Sequence, residues 1–310
     1  MTDTTHDRPS ERTATAAASG GVAPAEADAR QATLWSDAVR QLRRNPFFVV
    51  GATLIAIFAV MAVAPQLFTD TDPRFVDLAE SRDAPSGAHW FGVDVQGADY
   101  YANVIYGARV SMIIGVVVVL GALLIGVVLG SIAGFYGGWL DSLIARVTDV
   151  MYGLPFILGA LIILQTFEDR QLYHVCLALV AFTWMTPLRL VRSSIISVKE
   201  ADYVLAARAL GASTPRIIIR HMLPNAIAPV LVYSTIAVGV IIAAEAALSF
   251  LGIGLQQPQI SWGLQINVAQ DWLRDAPHLF LFPGVFLSVM VLAFILMGDA
   301  LRDALDPKMR

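Results

Sequence analysis

The chain has 310 residues, of which 56% are hydrophobic and only 15% are charged, and its mean hydropathy is +0.64. An average soluble domain is about 25% charged, so this composition excludes an ordinary soluble domain and predicts several membrane spans. The net charge of −4 gives no reason to expect a nucleic-acid partner. The single cysteine, Cys176, excludes an intrachain disulfide and a cysteine-based metal cluster.

The first residues have a composition unlike the rest of the chain. Residues 1–33 are rich in Ala, Thr, Ser and acidic residues and contain no apolar run. A signal peptide would need a basic start and a hydrophobic core, and neither is present. We therefore predict a disordered cytoplasmic tail over 1–33, because such a segment buries too little apolar surface to fold.

Six apolar segments follow this tail. A helix needs about 20 apolar residues to cross a hydrocarbon core of about 30 Å. The six segments that reach or approach this length are 46–68, 110–135, 143–167, 172–191, 223–250 and 279–298. The sequence therefore predicts an all-α integral membrane protein with about six transmembrane helices. An N-terminal segment over 34–106 would hold the first helix and an external loop, and a core membrane domain would cover 107–310.

The distribution of charge predicts the orientation of these helices. Basic residues are enriched on the cytoplasmic side of membrane proteins. Arg40, Arg43 and Arg44 precede the first span, whereas the segment 69–108 carries seven acidic residues and only two arginines. The connection between the fourth and fifth spans is basic again. We therefore expect cytoplasmic N- and C-termini and a cytoplasmic loop between spans four and five.

Residue spacing within the spans predicts two helix faces. Gly126, Gly130, Gly134 and Gly138 recur at every fourth residue, which lets another backbone approach closely. The neighbouring helix could belong to this chain or to a partner. Arg146 and Asp149 lie three residues apart, so we expect them to pair on one face of the third span.

The connection between the fourth and fifth spans has the signals of two short helices. Helix-forming residues precede Gly211, which suits a left-handed helix cap, and Thr214 is a candidate N-cap with Pro215 as the first helical residue. Ile217, Ile218 and Ile219 then offer apolar surface beside basic residues. We predict a helix–turn–helix that projects into the cytoplasm. The alternative is an ordinary connection whose arginines only reflect the charge asymmetry.

The spacing of Ala206, Ala207, Gly211, Leu223 and Pro224 resembles the EAA loop of ATP-binding-cassette importer permeases. The resemblance implies a coupling loop, residues 193–222, on which a soluble ATPase docks. The chain departs from the family pattern at two positions, with Leu205 in place of glutamate and His221 in place of isoleucine. Docking would then depend more on Arg208, Arg216 and apolar contacts.

Four further segments resemble the C-type permease subunit of dipeptide and oligopeptide importers. They are LWSDAVRQLRRNPFFVVGA, HWFGVDVQGADYYANVIYGARVSMIIG, EAALSFLGIGLQQPQISWG and GDALRDALDPKMR. The resemblance implies the type I importer permease fold, a bacterial cytoplasmic membrane location and a lipid environment. It also implies as partners a homologous B-type permease, two ATPase subunits and an extracytoplasmic solute-binding protein. The solute would be a peptide or, alternatively, nickel, a sugar or haem.

The third of these segments predicts an external site. We expect Gly252 and Gly254 to permit a tight turn beyond the fifth span, where side chains would clash. Glu245 could either extend towards the membrane surface or cap this turn. The residues that we assign to this external loop are Glu245, Ser249, Gly252, Gly254, Trp262 and Gly263.

The sequence contains no phosphate-binding G-x-x-x-x-G-K-[ST] loop, and Lys199 and Lys308 are its only lysines. We therefore expect a non-catalytic subunit without a cofactor or metal of its own, with ATP and Mg²⁺ on the partner ATPases. An intramembrane enzyme is a weak alternative, because no catalytic motif frames Ser131, Ser249 or His174. A secondary transporter or channel is a second alternative, although we find no convincing internal repeat.

Overall fold

The computed structural model describes residues 34–305, so the predicted tail at 1–33 lies outside the described residues. Within the described part the secondary structure is helical, and β-structure is limited to two isolated bridges in the segment 64–99. The predicted all-α class is confirmed. The α-helices are α1 Leu34–Arg44, α2 Pro46–Val63, α3 Tyr100–Tyr136, α4 Gly138–Gly153, α5 Phe156–Gln165, α6 Leu172–Thr183, α7 Met185–Val198, α8 Asp202–Ala209, α9 Thr214–Arg216, α10 Leu223–Ala226, α11 Ala228–Phe250, α12 Trp262–Ala269 and α13 His278–Leu305.

Four of these helices, α2, α3, α11 and α13, are each long and apolar enough to cross a membrane. Two further spans are broken helix pairs: α4 and α5 meet at 89°, and α6 and α7 meet at 42°. Counting each pair as one span gives the predicted number of six.

The predicted third span over 143–167 is a broken helix pair, because Pro155 interrupts it. The preceding residue, Leu154, is extended, with φ −82° and ψ 126°. A residue before proline is disfavoured in the helical region by contact with the proline ring, so the helix ends there. Pro187 explains the milder bend at Trp184, since it lacks the amide that would bond to the carbonyl of Thr183 and its ring crowds that carbonyl.

The glycine face of α3 packs directly on α7. A Cβ atom on Gly126, Gly130 or Gly134 would lie 2.6–2.9 Å from the backbone of α7. The neighbouring helix therefore belongs to this chain. The fourth predicted member of the face, Gly138, does not belong to it, because α3 ends at Tyr136 and Gly138 has φ +59° and open space around its Cα.

The predicted pair of Arg146 with Asp149 is also wrong. The Asp149 carboxylate instead accepts a hydrogen bond from Arg189 of α7 at 2.9 Å. A second bridge between the same helices joins Asp141 to Arg192, whose two guanidinium nitrogens donate to the two carboxylate oxygens at 2.5 and 2.6 Å. Polar side chains thus connect α4 to α7 in place of pairs within one helix.

The segment 64–99 is fastened to the start of α3. The Asp99 carboxylate caps α3 by accepting from the Ala102 amide at 2.8 Å, and it also lies 2.7 Å from Nδ1 of His89. Nε2 of His89 lies 3.3 Å from Glu80. The hydrogen bond to Asp99, assisted by the charges of both carboxylates, outweighs burial and raises the pKa of His89 above its usual value. This segment covers the end of the bundle opposite residues 199–222.

We predict that Gly130→Leu disrupts the bundle, because its side chain would overlap the Leu188 carbonyl of α7. Overpacking of this kind costs about 1–3 kcal/mol or prevents assembly. Thermal unfolding and size-exclusion profiles in detergent should show a lower melting temperature or aggregation. The control is Gly284→Leu in α13, where a Cβ meets nothing within 4 Å. Equal behaviour of the two variants would contradict the close packing of α3 on α7.

Candidate functional site

The predicted coupling loop, residues 193–222, contains α8, which ends in a glycine cap. Gly211 has φ +77°, and its amide donates to the Arg208 carbonyl at 3.0 Å. The Ala212 amide donates to the Ala207 carbonyl, also at 3.0 Å. This pair of bonds is the Schellman motif, which satisfies carbonyl groups at a helix end and needs a left-handed residue at the position of Gly211. The predicted left-handed turn is present.

The second helix of the coupling loop starts one position earlier than we predicted. Ser213 is the extended N-cap residue, so Thr214 is the first helical residue and Pro215 the second. Proline is still tolerated there, because amides of the first turn have no helical partner. The helix continues through a six-residue π-helix, Ile217–Met222, into α10. Such wide turns are rare and are frequent at functional sites.

A buried apolar cluster anchors both helices of the coupling loop to the membrane bundle. From the loop it contains Val204, Ala207, Ile217 and Met222, all at most 9% exposed. These side chains pack on residues of α7, α10 and α11, namely Val191, Ile195, Ala226 and Val230. The loop is therefore attached to the membrane helices through packed side chains, so that displacement of one displaces the other.

The opposite side of the coupling loop exposes apolar residues. Tyr203, Leu205, Leu210 and Ile219 are 41%, 40%, 88% and 66% exposed. Exposed apolar groups beside the exposed Arg216 are typical of a protein-binding surface when they lie outside the membrane spans. Sequence analysis missed Tyr203 and Leu210, since only the fold shows which apolar loop residues stay uncovered.

The other predicted residues of the coupling loop occupy different environments. Ala206 and Pro224 are exposed, whereas His221 and Leu223 are half-buried. The Arg208 guanidinium is exposed and lies 6.0 Å from the centre of the Phe135 ring of α3. Arg208 thus contacts its own chain, which the sequence did not predict. Ala207 faces the buried cluster and so has an anchoring position within the loop.

At the far end of the bundle, the turn between α11 and α12 repeats the same cap. Gly252 has φ +73° and donates to the Ser249 carbonyl at 3.0 Å, while Ile253 donates to the Leu248 carbonyl at 2.9 Å. Gly254 is required for another reason: a Cβ there would overlap Oγ of Ser249 and lie 2.6 Å from its nitrogen. Gly252 thus provides the left-handed backbone conformation of the turn, and Gly254 leaves the room that Ser249 occupies.

Glu245 supports this turn from inside the bundle. It is fully buried, so the alternative in which it extends to the membrane surface is wrong. Its Oε1 accepts hydrogen bonds from Ser249 at 2.8 Å and from Ser261 at 3.3 Å. Ser249 Oγ in turn accepts from the Leu255 amide at 3.1 Å. Ser261, which sequence analysis missed, joins the start of α12 to this network.

The two remaining predicted external residues fix α12 in the bundle. The Trp262 ring is completely buried, and its Nε1 donates to the Val104 carbonyl of α3 at 2.8 Å. Gly263 lets α12 approach α11 closely, because a Cβ there would lie 2.7 Å from Cα of Ala246. The predicted external residues therefore converge on one junction of α3, α11 and α12. Among the residues that the structure describes, no cluster of three or more His, Cys, Asp or Glu side chains could hold a metal ion.

We predict that Gly254→Ala destabilises the protein more than Gly252→Ala does. The first variant must displace the Ser249 backbone, whereas the second meets nothing within 4 Å and suffers only left-handed strain of about 1–2 kcal/mol. Melting temperatures in detergent should fall in that order. Gly153→Ala, which also meets nothing within 4 Å, is the control. A larger loss for Gly252→Ala would contradict the steric role of Gly254.

Comparison with known proteins identifies the family. Residues 126–310 match the model of the binding-protein-dependent transport system inner membrane component. Residues 33–85 match the N-terminal transmembrane domain of oligopeptide transport permease C. The chain is 40% identical over 276 residues to the dipeptide transport system permease protein DppC of Alkalihalophilus pseudofirmus, covering 89% of this chain and 90% of that protein.

Two further relatives show similar coverage. The chain is 37% identical to the oligopeptide transport system permease protein OppC of Bacillus subtilis, over 90% of this chain and 91% of that protein. It is 35% identical to the glutathione transport system permease protein GsiD of Pectobacterium atrosepticum, over 90% and 92%. The matches and the multi-pass helical fold agree, and the chain belongs to the family of binding-protein-dependent transport system inner membrane components, the permease subunits of ATP-binding-cassette transporters.

Proposed function

We propose that this chain forms, together with a homologous B-type permease, the pathway of an ATP-driven importer for small peptides. The observation that carries the proposal is the coupling loop, whose buried face is packed on α7 and α11 and whose exposed face presents apolar residues outside the membrane spans. A soluble partner that binds this exposed face can move the membrane helices. Two ATPase subunits are the partners that fit, and they would bind the ATP and Mg²⁺ that this chain has no loop to bind.

The peptide substrate is supported by the names of the relatives. Two of them are named for dipeptides and oligopeptides and the third for glutathione. These names favour peptides over nickel, a sugar or haem. An extracytoplasmic binding protein would deliver the solute to the end of the bundle where residues 64–99 and the α11–α12 turn lie.

The mechanism follows from the rigid attachment of the loop. ATP-dependent closure of the ATPases would press on the coupling loop, and the buried cluster around Ile217 would transmit this displacement to α7. Because α7 lies in backbone contact with the glycine face of α3, the two helices would move as one body. ATP binding then favours one state of the pathway over the other, which is alternating access driven by differential binding.

We predict cytoplasmic N- and C-termini from the charge asymmetry. Reporter fusions after Asp83, Glu168 and Asp271 should give external signals. Fusions after Asp141, Ser213 and Lys308 should give cytoplasmic signals. A cytoplasmic signal at Asp83 would contradict the six-span arrangement, because the segment 64–99 lies opposite the coupling loop.

A second prediction tests the coupling loop and the proposed function together. Gly211→Val strains the left-handed cap by about 1–2 kcal/mol, which corresponds to roughly tenfold weaker ATPase binding if the native cap is required. The variant should reach the membrane and pair with its partner permease. Pull-downs should recover less ATPase, and proteoliposomes should lose ATP-dependent uptake of a labelled dipeptide.

The matched control is Gly252→Val, because both glycines have positive φ and open space around them, at opposite ends of the bundle. It should keep its ATPases bound. Full ATPase binding and uptake by Gly211→Val would show that residues 193–222 are not a coupling loop. Uptake by the wild-type complex that needs an ion gradient and no ATP would instead indicate a secondary transporter.

A further inference from the structure

A stripe of polar side chains runs along the exposed side of α4 and α7. Arg189 donates to Asp149 at 2.9 Å, and its guanidinium carbon also lies 4.3 Å from the centre of the Tyr152 ring. The hydroxyls of Tyr152 and Thr186 are 3.0 Å apart. The ion pair, the aromatic ring and the pair of hydroxyls thus form a continuous series of polar contacts between the two helices.

This stripe lies in the halves of the predicted spans 143–167 and 172–191 that are nearer the coupling loop. Beside it, Gly126 of α3 packs on the Leu188 amide, and Gly134 packs on the Arg192 carbonyl. Gly126 precedes Tyr136, the last residue of α3, by ten residues, which is a rise of about 15 Å. With 37 residues, α3 is about 55 Å long and so extends beyond a hydrocarbon core of about 30 Å. Thr186 lies five residues inside the end of the predicted span 172–191, and Arg189 lies one turn closer to the coupling loop, two residues from that end.

The exposure of the stripe is incompatible with contact to lipid. The side chains of Arg189 and Asp149 are 53% and 56% exposed, and Tyr152 is 45% exposed. Charged side chains at this depth face a water-filled cavity or the interior of a bundle, because exposure to hydrocarbon costs several kcal/mol. Other faces of the spans expose apolar side chains, such as Leu124 and Ile162, each 69% exposed. The stripe therefore faces either water or another helix of the assembled complex.

Two cavities open on this stripe. Thr186 lines one of about 160 Å³ between α3, the break of α6 and α7, and α11, together with Thr183 and Tyr233. Arg189 and Asp149 line another of about 350 Å³ between α4 and α7. Thr186 and Arg189 lie three residues apart on the same face of α7, so the stripe connects the two cavities along the membrane normal.

We propose that this stripe is the solute-binding wall that this subunit contributes to the pathway, and that it binds the backbone and the charged termini of a peptide. Its members are Thr183, Thr186, Tyr233, Tyr152, Arg189 and Asp149. Hydroxyls can pair with both N–H and C=O groups, Arg189 matches a carboxylate, and Asp149 matches an ammonium group. Backbone amides and charged termini are common to all peptides, so the stripe would bind peptides with little dependence on their side chains. The proposal rests on the proposed function.

Cysteine labelling tests the location of the stripe. The chain has one cysteine, the buried Cys176, so Cys176→Ala provides a background without reactive thiols. In the assembled complex, Thr186→Cys should react with a charged methanethiosulfonate reagent at least about tenfold faster than Ile162→Cys, which lies on an exposed apolar face of α5. Equal, slow reaction of both would overturn the proposal. Reaction of Thr186→Cys only in the chain without its partner permease would also overturn it and would make the stripe a contact between permeases.

Protection by peptide tests the chemistry of the stripe. A dipeptide with a free carboxylate should slow the labelling of Thr186→Cys in the complex. Adding Arg189→Gln should raise the protecting concentration roughly tenfold, the loss expected for one charge-assisted contact, whereas Arg189→Lys should restore part of it. A C-terminally amidated dipeptide should protect both forms equally.

This measurement requires neither ATP nor ATPase activity, so failure of the proposed binding role can be distinguished from failure of the proposed function. Absence of protection in a complex that shows ATP-dependent peptide uptake would overturn the binding role proposed for the stripe, while the proposed importer function would stand. Equal loss of protection for free and amidated dipeptides in Arg189→Gln would show that Arg189 does not bind the carboxylate.

Discussion

The backbone contact between α3 and α7 is the constraint on which the rest of the molecule depends. Hydrophobic burial drives little association between helices in lipid, so close packing and polar contacts must hold them together. Three glycines on one face of α3 permit that packing, and Leu188 and Arg192 occupy the space that side chains would fill. The position of α7 then decides where the coupling loop, the bent α6 and the polar stripe lie.

The same type of glycine cap ends a helix at each end of the bundle. Gly211 ends α8 and Gly252 follows α11, each in a Schellman motif with positive φ. Such a cap ends a helix within one residue and reverses the chain without leaving its last carbonyls unpaired. At the coupling loop this leaves a compact projection that can be held by a partner. At the opposite end it brings Ser249 and Ser261 onto the buried Glu245.

Polar groups inside the spans divide into two kinds. Glu245 is enclosed by protein, and its Oε1 accepts hydrogen bonds from two serines, which reduces the cost of burying the carboxyl group. Arg189, Asp149 and Tyr152 are paired with one another, yet they remain exposed on the surface of this chain. The first kind stabilises a junction of helices. The second kind stays exposed on this chain, and in the proposed pathway it would border water.

The sequence by itself determined the helical class, the six apolar segments, the left-handed turn at Gly211 and the tight turn at Gly252, because each depends on local composition or on one backbone conformation. Prolines explain the bends, although their angles of 89° and 42° depend on how the segments pack. Only the tertiary structure decided that Asp149 pairs with Arg189 instead of Arg146, that Glu245 is buried and that Gly138 lies outside the glycine face. These features depend on contacts with residues distant in the sequence. Spacing along one helix shows which residues share a face, but it does not show which other helix packs on that face.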